Sequence, residues 1–291
     1  MLPIVNAGRD TGYHAPMSGE MIGDVEALAA RVPDGAKVAL VKTTGGVPMT
    51  LVRALIRCGV RGLHLVCVPT GGLAVDLLIG AGCVETLETS AVTLDEFGQA
   101  PAFGRAVRAG SLRLLDATCP AVYAGLQAGE KGLPFMPLRG LLGSDVAGNR
   151  ADWEVIDNPF GDNDPIVCLP AIVPDFSLVH ARTADRHGNL YIGDTREVLL
   201  MAHAARATLA TAETIVDENL LDDDAMRPGV IPNVYVSAIA EAEGGARPLG
   251  LPGGYEVDGE HLALYANMAR DETGFFEYLD EFVLDRKAAA E

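Results

Sequence analysis

The chain has 291 residues, enough for one large α/β domain or two small ones. Its 22 Lys plus Arg stand against 40 Asp plus Glu, and the resulting net charge of −18 opposes non-specific binding to nucleic acid and to anionic membranes. With 49% hydrophobic and 21% charged residues it belongs with ordinary globular proteins, in which a chain of this length buries roughly three quarters of its unfolded surface.

Residues 1–17 carry Pro3, Gly8, Gly12 and Pro16 and read as an irregular N-terminal arm. They lack a basic start followed by an apolar run, and no stretch of 18 apolar residues occurs anywhere, which points to a soluble, cytoplasmic protein. Cys58, Cys67, Cys83, Cys119 and Cys168 are odd in number and show no C-x-x-C spacing. They read as reduced, buried thiols.

Asp24 to Val32 is predicted as a helix. Lys37 to Lys42 is a short β-branched and apolar run, too brief for a helix, and reads as a central parallel strand. Thr43, Thr44, Gly45 and Gly46 turn the chain into a helix that opens at Pro48, carries the stripe Leu51, Val52, Leu55, Ile56, and stops at Gly59. In an open α/β sheet such a strand-to-helix turn presents unpaired N–H groups at the carboxyl edge, where anions and oxyanions are held. A Gly-Gly pair is neither a G-x-G-x-x-G nor a P-loop, so it gives no support to nucleotide binding of those kinds.

The β-turn-α theme recurs: strand Leu63 to Val68, turn Thr70-Gly71-Gly72, helix Leu73 to Ile79; strand Cys83 to Thr89, helix Pro101 to Arg108; strand Leu112 to Leu115, helix Ala121 to Gly129. Residues 133–165 read as a long loop region with one strand at Trp153 to Ile156, of the kind that contacts a partner or a ligand. Strands at Ile166 to Leu169 and Phe176 to His180, a turn at Gly188-Asn189, a helix at Val198 to Ala207, and strands from Thr208 and from Val234 to Ala238 follow. Helices near Glu260 to Ala269 and Glu272 to Asp285 close the chain within 255–291. The expectation is one α/β domain over residues 1–291, an open, mostly parallel sheet with helices on both faces.

The motifs KTTGGVPM at 42–49, DLLIGAGCVETLETS at 76–90, LPFMPLRGLLGSDV at 133–146 and LPAIVPDFSLVHARTADRHGNLYIG at 169–193 occur in an order that resembles the α subunit of family I CoA transferases, in particular that of glutaconate CoA-transferase. The resemblance covers nearly the whole chain. It implies a fold shared with ribose-phosphate isomerases and glucosamine-phosphate deaminases, and a similarly folded β partner, as αβ or (αβ)2. It also implies coenzyme A as substrate rather than as a permanent cofactor, with no metal. In such enzymes a glutamate, usually on β and close to Asn-Gly, takes the acyl group and then CoA, passing CoA to a small carboxylate.

This chain has no Glu-Asn-Gly, so the nucleophile is expected on the partner. The resemblance gives Thr44, Gly45 and Gly46 to the thioester oxygen or the pantetheine, and Arg139, Ser144 and Asp145 to the wall facing β. Related ring-opening acyl-CoA hydrolases place a glutamate where Cys119 stands here, a departure that weakens hydrolysis and leaves it the second reading; a non-catalytic chain that stabilises β or binds an acyl-CoA is the third. Cys119, read as buried, and Glu96 are the in-chain alternatives for a nucleophile. His180, Asp185, His187 and Asn189 read as a tight turn rather than a metal site, and Trp153 as a packing residue. Of Glu85, Glu88, Asp95 and Glu96, two or three are expected to face water, as is the acidic run 222–224.

Overall fold

The computed structural model describes residues 19–42 and 46–284. The N-terminal arm, residues Thr43, Thr44 and Gly45, and the last residue of the final helix expected to run to Asp285 lie outside that range. The first half is a succession of strand-helix units: β1 (Glu20–Ile22), α1 (Val25–Ala29), β2 (Lys37–Val41), α2 (Met49–Cys58), β3 (Leu63–Val68), α3 (Leu73–Gly80), β4 (Val84–Thr89), α4 (Pro101–Ala109), β5 (Arg113–Asp116) and α5 (Cys119–Glu130). Local chemistry sets the boundaries. Asp24 caps α1 by accepting from the Ala27 N–H at 2.6 Å, and Thr118 caps α5 through Ala121. Gly59 and Gly110 end α2 and α4 in the left-handed region, at φ 73° and 65°. Pro48 is the N-cap of α2 rather than its first helical residue, and its missing N–H costs nothing in either place.

Residues 133–165 hold more order than expected. They form β6 (Phe135–Leu138), α6 (Asp145–Asn149) and β7 (Glu154–Asp157), and with β8 (Pro165–Pro170) the strands make a separate antiparallel sheet in the order β6-β8-β7. The strand expected at 166–169 therefore belongs to this small sheet, not to the parallel one. The chain then runs through β9 (Phe176–Asp185), β10 (Leu190–Tyr191), α7 (Arg196–Ala204), β11 (Ala207–Val216), β12 (Val230–Ile231), β13 (Ala238–Glu241), α8 (Gly259–Met268) and α9 (Glu272–Phe282). The strand predicted at 234–238 begins four residues later, because residues 233–235 make a 3-10 turn that exposes Val234. Pairing to β11 starts only where the Ser237 N–H reaches Thr208 O at 2.9 Å.

The main sheet has the order β1-β13-β11-β9-β2-β3-β4-β5, with every neighbouring pair parallel; short β10 and β12 attach antiparallel beside β9. Strands buried on both faces must be apolar throughout, as LHLVCV in β3 largely is. Helices α1, α2 and α3 pack in series, whereas α5 packs on α7, which lies on β2 and β9. The C-terminal helices are bound to the core by large side chains: Tyr265, Phe275 and Tyr278 are fully buried, and the Phe275 ring lies so close to the Gly80 backbone that a Cβ there would overlap it. The Tyr265 hydroxyl donates to Asp76 Oδ2 at 2.6 Å, and buried Asp76 also accepts from the Phe103 N–H at 2.7 Å.

The cysteines only partly match their expectation. Cys67 and Cys83 are buried, Cys168 is half-buried, and Cys58 and Cys119 are exposed; all five are free. Among the described residues no helix is long and apolar enough to cross a membrane.

Candidate active site

The chain reverses its direction of travel across the sheet between β2 and β9: strands β3, β4 and β5 are added on one side of β2, and β11 and β13 on the far side of β9. Such a switch point opens a crevice at the carboxyl ends of the strands, because the connections on its two sides lead away from each other. A cleft of about 920 Å³ lies here, with Gly46 after β2, His180 and Arg182 on β9, Tyr191 on β10, Tyr123 and Gln127 on α5, Arg196, Glu197, Leu199 and Leu200 at the start of α7, and Leu251 to Gly253 among its walls.

Gly46 is fixed by two demands. Its φ is +72°, and a Cβ there would overlap the carbonyl oxygen of His180; in turn the His180 N–H donates to Gly46 O at 2.7 Å. His180 lies in the middle of β9 rather than at its end, with a buried side chain. Its Nε2 is 2.6 Å from Glu213 Oε1 and its Nδ1 2.8 Å from Thr211 Oγ1. Burial pushes the imidazole pKa down, against the pull of Glu213, so the ring is neutral near pH 7. The carboxylate can only accept, which places the proton on Nε2 and leaves Nδ1 to accept from the Thr211 hydroxyl.

Glu213 gathers this floor together. It accepts from the Gly244 N–H at 2.7 Å, the Gly245 N–H at 3.2 Å and the Tyr255 hydroxyl at 2.7 Å, in addition to His180. Burial would raise its pKa, but those donors outweigh it and hold the carboxyl below its ordinary value. Gly245 O in turn accepts from the Thr50 N–H at 2.9 Å, so one carboxylate links the loop at 244–245 to the first turn of α2. On the opposite wall the Tyr123 hydroxyl donates to Glu197 at 3.3 Å; burial first and that carboxylate second push its pKa up to about 12.

Of the residues singled out by sequence, Gly46 and His180 line this cleft, and the other described candidates for catalysis or substrate binding do not. Thr44 and Gly45 lie outside the described residues. Cys119 is exposed rather than buried, at the first position of α5, with its Sγ 3.2 Å from Ser90 Oγ. Glu96 is exposed on a 3-10 turn, and Glu85 and Asp95 also face solvent. Arg139 is exposed and paired with Asp164, Ser144 caps α6 by accepting from the Ala147 N–H at 3.4 Å, and Asp145 is exposed beside it; these three stand by the small sheet. Asp185 accepts from the N–H groups of His187 and Asn189, both at 2.9 Å, and from Leu220, which makes the 185–189 segment a hydrogen-bonded turn with Gly188 at φ +90°. Among the described residues no group of three His, Cys, Asp or Glu is placed to hold a metal.

Three of the four clustered acidic residues, Glu85, Asp95 and Glu96, face solvent, in line with the two or three expected; Glu88 is the buried one. Arg150 Nη2 lies 2.9 Å from its Oε1, with Lys37 Nζ at 3.4 Å and His64 Nε2 at 3.5 Å from Oε2. The Arg150 guanidinium also lies 4.4 Å from the centre of the Trp153 ring, so the chain's one tryptophan is a packing residue.

A parallel α/β sheet with a ligand-sized cleft at its switch point defines the class: an α/β chain built to hold a small molecule at that edge. Within that class the chain belongs to the coenzyme A transferase family, whose model matches residues 24–242, and it is of the A-subunit type. It is 32% identical over 273 residues to the A subunit of 3-oxoadipate CoA-transferase from Pseudomonas knackmussii, covering 91% of this chain and 94% of that one. An Archaeoglobus fulgidus protein of no assigned role is 31% identical across 92% of this chain, which spans 60% of that protein's length. Among solved structures, glutaconate coenzyme A-transferase from Acidaminococcus fermentans superposes with a TM-score of 0.85 at 26% identity, covering 92% of this chain and 89% of that one. A cysteine-to-serine variant of the decarboxylase AibA/AibB gives 0.78 at 33% identity, with coverage of 90% and 98%.

Proposed function

We propose that this chain works with a B-type partner to move CoA from an acyl-CoA to a small carboxylic acid, in the cleft at the β2/β9 switch point. The observation that carries this reading is Gly46. Its turn is held from both sides by the His180 backbone, opens on the cleft, and follows a central strand in a chain of A-subunit type.

A partner glutamate attacks the thioester carbonyl, CoA leaves as the thiolate, and an acyl-glutamyl anhydride forms. The thiolate then attacks the glutamyl carbonyl, releasing the donor acid and leaving a glutamyl-CoA thioester. The acceptor carboxylate reverses these two steps. Each addition places negative charge on a carbonyl oxygen, and in this reading Thr44, Gly45 and Gly46 supply the donors that stabilise it. Glu213 is unsuited to be the nucleophile, because both of its oxygens are occupied by the Gly244, Gly245, Tyr255 and His180 donors. Its role is to hold the floor of the cleft. The five free thiols and the use of CoA fit the cytoplasm, and the chain acts as one domain.

The test is co-expression with the genomically adjacent B-type chain, incubation with candidate acyl-CoAs, borohydride reduction and peptide mass spectrometry. Borohydride converts a glutamyl thioester to an alcohol, so a mass change on a partner glutamate that depends on this chain is the expected result. Release of free CoA with no acceptor and no trapped residue would replace transfer with hydrolysis.

A further inference from the structure

Between β13 and α8 the chain makes a long connection, residues 242–258, with no helix or strand in it beyond a bridge between Leu251 and Tyr255. Connections of this length inside a compact domain generally serve a site, and this one supplies the wall Leu251, Pro252 and Gly253 of the cleft. Leu251 is buried, and its Cδ1 lies 3.8 Å from where a Cβ on Gly46 would stand, so the wall reaches the Gly46 turn.

The register of the connection is set by one phenol. The Tyr255 hydroxyl donates to Glu213 Oε1 at 2.7 Å and accepts from the Ala246 N–H at 2.9 Å, which draws the two ends of the segment 246–255 together. The same residue holds the wall directly: the Leu251 N–H donates to Tyr255 O at 2.9 Å, and the Tyr255 N–H to Leu251 O at 3.1 Å. Burial first and Glu213 second push the phenol's pKa up, so it keeps its proton and remains a donor at neutral pH.

Beyond Glu213 the contacts lead to the reacting side of the cleft. Glu213 also meets the Gly244 and Gly245 N–H groups and His180, whose own N–H holds Gly46 O at 2.7 Å. Gly245 lies flat against the His180 ring, where a Cβ would overlap it, and Gly245 O accepts from both the N–H and the hydroxyl of Thr50, at 2.9 and 3.2 Å. A continuous run of short polar contacts therefore joins the 251–253 wall to the Gly46 turn and to the first turn of α2. Folding of the connection has a separate basis, because Ala246, Leu249 and Leu251 bury its apolar side chains.

We propose that Tyr255 is a positioning residue, whose hydroxyl acts through Glu213 to fix the Leu251–Gly253 wall against the Gly46 turn and so sets where a thioester lies in the cleft. A phenol suits the task because one oxygen both donates and accepts, tying the carboxylate to a backbone N–H that has no other partner in the connection. The kinetic consequence rests on the CoA-transfer reading; the coupling itself does not.

Tyr255→Phe keeps the ring beneath the Arg247 guanidinium and removes only the hydroxyl. In the complex co-expressed with the B-type chain, with the acyl-CoA that marks the partner glutamate under borohydride as donor, kcat should fall about tenfold while the acyl-CoA KM stays within about twofold. Glu213→Gln should show the same split. Tyr265→Phe, which deletes a buried hydroxyl bond to Asp76 outside the cleft, should lower the melting temperature and leave kcat unchanged. Amide hydrogen exchange read by mass spectrometry needs no turnover: in Tyr255→Phe it should quicken over 246–255 and also over 47–55, but not over β4. Wild-type kcat in Tyr255→Phe, a raised KM with kcat unchanged, or faster exchange confined to 246–255 would each reduce the hydroxyl to loop packing and overturn the proposal. Faster exchange in both segments, in a complex whose wild type transfers no CoA, would leave the coupling standing and remove the transfer reading.

Discussion

At Glu88 the chain buries a carboxylate beside Lys37, His64 and Arg150, and the direction of its pH dependence follows from that setting. Burial alone would raise its pKa, but the nearby His64 imidazole and the charges of Lys37 and Arg150 bring it from 4.5 down to about 2. A carboxylate whose pKa is depressed by folding contributes stability that is complete above its unfolded value and is lost as pH falls through its folded value. Glu88 therefore contributes on the order of 3 kcal/mol above pH 4.5 that disappears on acidification toward pH 2. Glu88→Gln should flatten the acid limb of a plot of melting temperature against pH in that window. Arg150→Met, which strands the carboxylate, should cost about 3–5 kcal/mol at pH 7 by urea unfolding. A wild-type slope in the Glu88→Gln variant would show that the group titrates normally. Gly46 permits a second single-residue test. An alanine at φ +72° costs about 1–3 kcal/mol in strain, and its Cβ must also push away the His180 carbonyl, so the whole turn shifts. A displacement of this kind at a reacting centre lowers the rate by roughly a hundredfold, so Gly46→Ala should lose kcat/KM on that scale while a circular dichroism spectrum stays native. Unchanged turnover would take the turn out of the active site.

The small sheet is the element that most needs a neighbour. Phe135, Val155, Ile156 and Phe160 are all exposed on or beside it, Phe160 at 95%, beside the Arg139, Ser144 and Asp145 segment. We propose that this apolar patch, on a chain of A-subunit type, is the surface that a B-type partner covers. The double variant Val155→Glu and Phe160→Glu should leave this chain folded but reduce the fraction that co-purifies with its partner, as read by light scattering after gel filtration. An unaltered complex would place the partner on another face. This same element shows where reading the sequence stopped. From β2 through α5 the β-α repeats could be read with boundaries within a residue or two, because glycine caps, Thr118 and continuous apolar strands are local signals; β1 was not foreseen, and α1 ends three residues before the expected Val32. Within residues 133–165 only the strand near 153–156 could be read, as β7; β6 and α6 could not, since Pro, Gly and Asn interrupt the stretch and its strands are fixed by pairing with residues 165–170. The cleft was legible only at Gly46. Arg182 and Arg196 carry no motif, and they become neighbours of one cavity only when β9 and the start of α7 are folded against the 46 turn. That two or three of Glu85, Glu88, Asp95 and Glu96 face water was legible, but not that Glu88 is the buried one, because its counter-charges Arg150, Lys37 and His64 are distant in sequence.

Across the whole molecule the question is whether the peripheral parts unfold with the sheet or separately from it. Two buried polar links bear on it. Arg150 carries the small-sheet segment onto β4 through Glu88, and Asp76 on α3 binds Tyr265 of α8, with Phe275 of α9 seated on Gly80. Each link is inside a continuous core that runs from Val25 to Val283. Detaching either part would expose ionised or hydrogen-bonded groups without partners as well as apolar surface, which is costlier than unfolding the two together. The net charge of −18 pushes the other way, since self-repulsion favours any expansion, and it does so most at low ionic strength, where the screening length grows to about 30 Å. Cohesion of the core outweighs it if calorimetry at moderate salt shows one transition whose calorimetric and van't Hoff enthalpies agree. That is the expected result for the wild-type chain. Arg150→Met should then lower the transition without splitting it, because the apolar packing around Leu126, Val167 and Leu169 persists after the charge is gone. A second, earlier transition in the variant, reported by the fluorescence of Trp153, would instead show that the ion pair alone holds the small sheet to the body of the molecule.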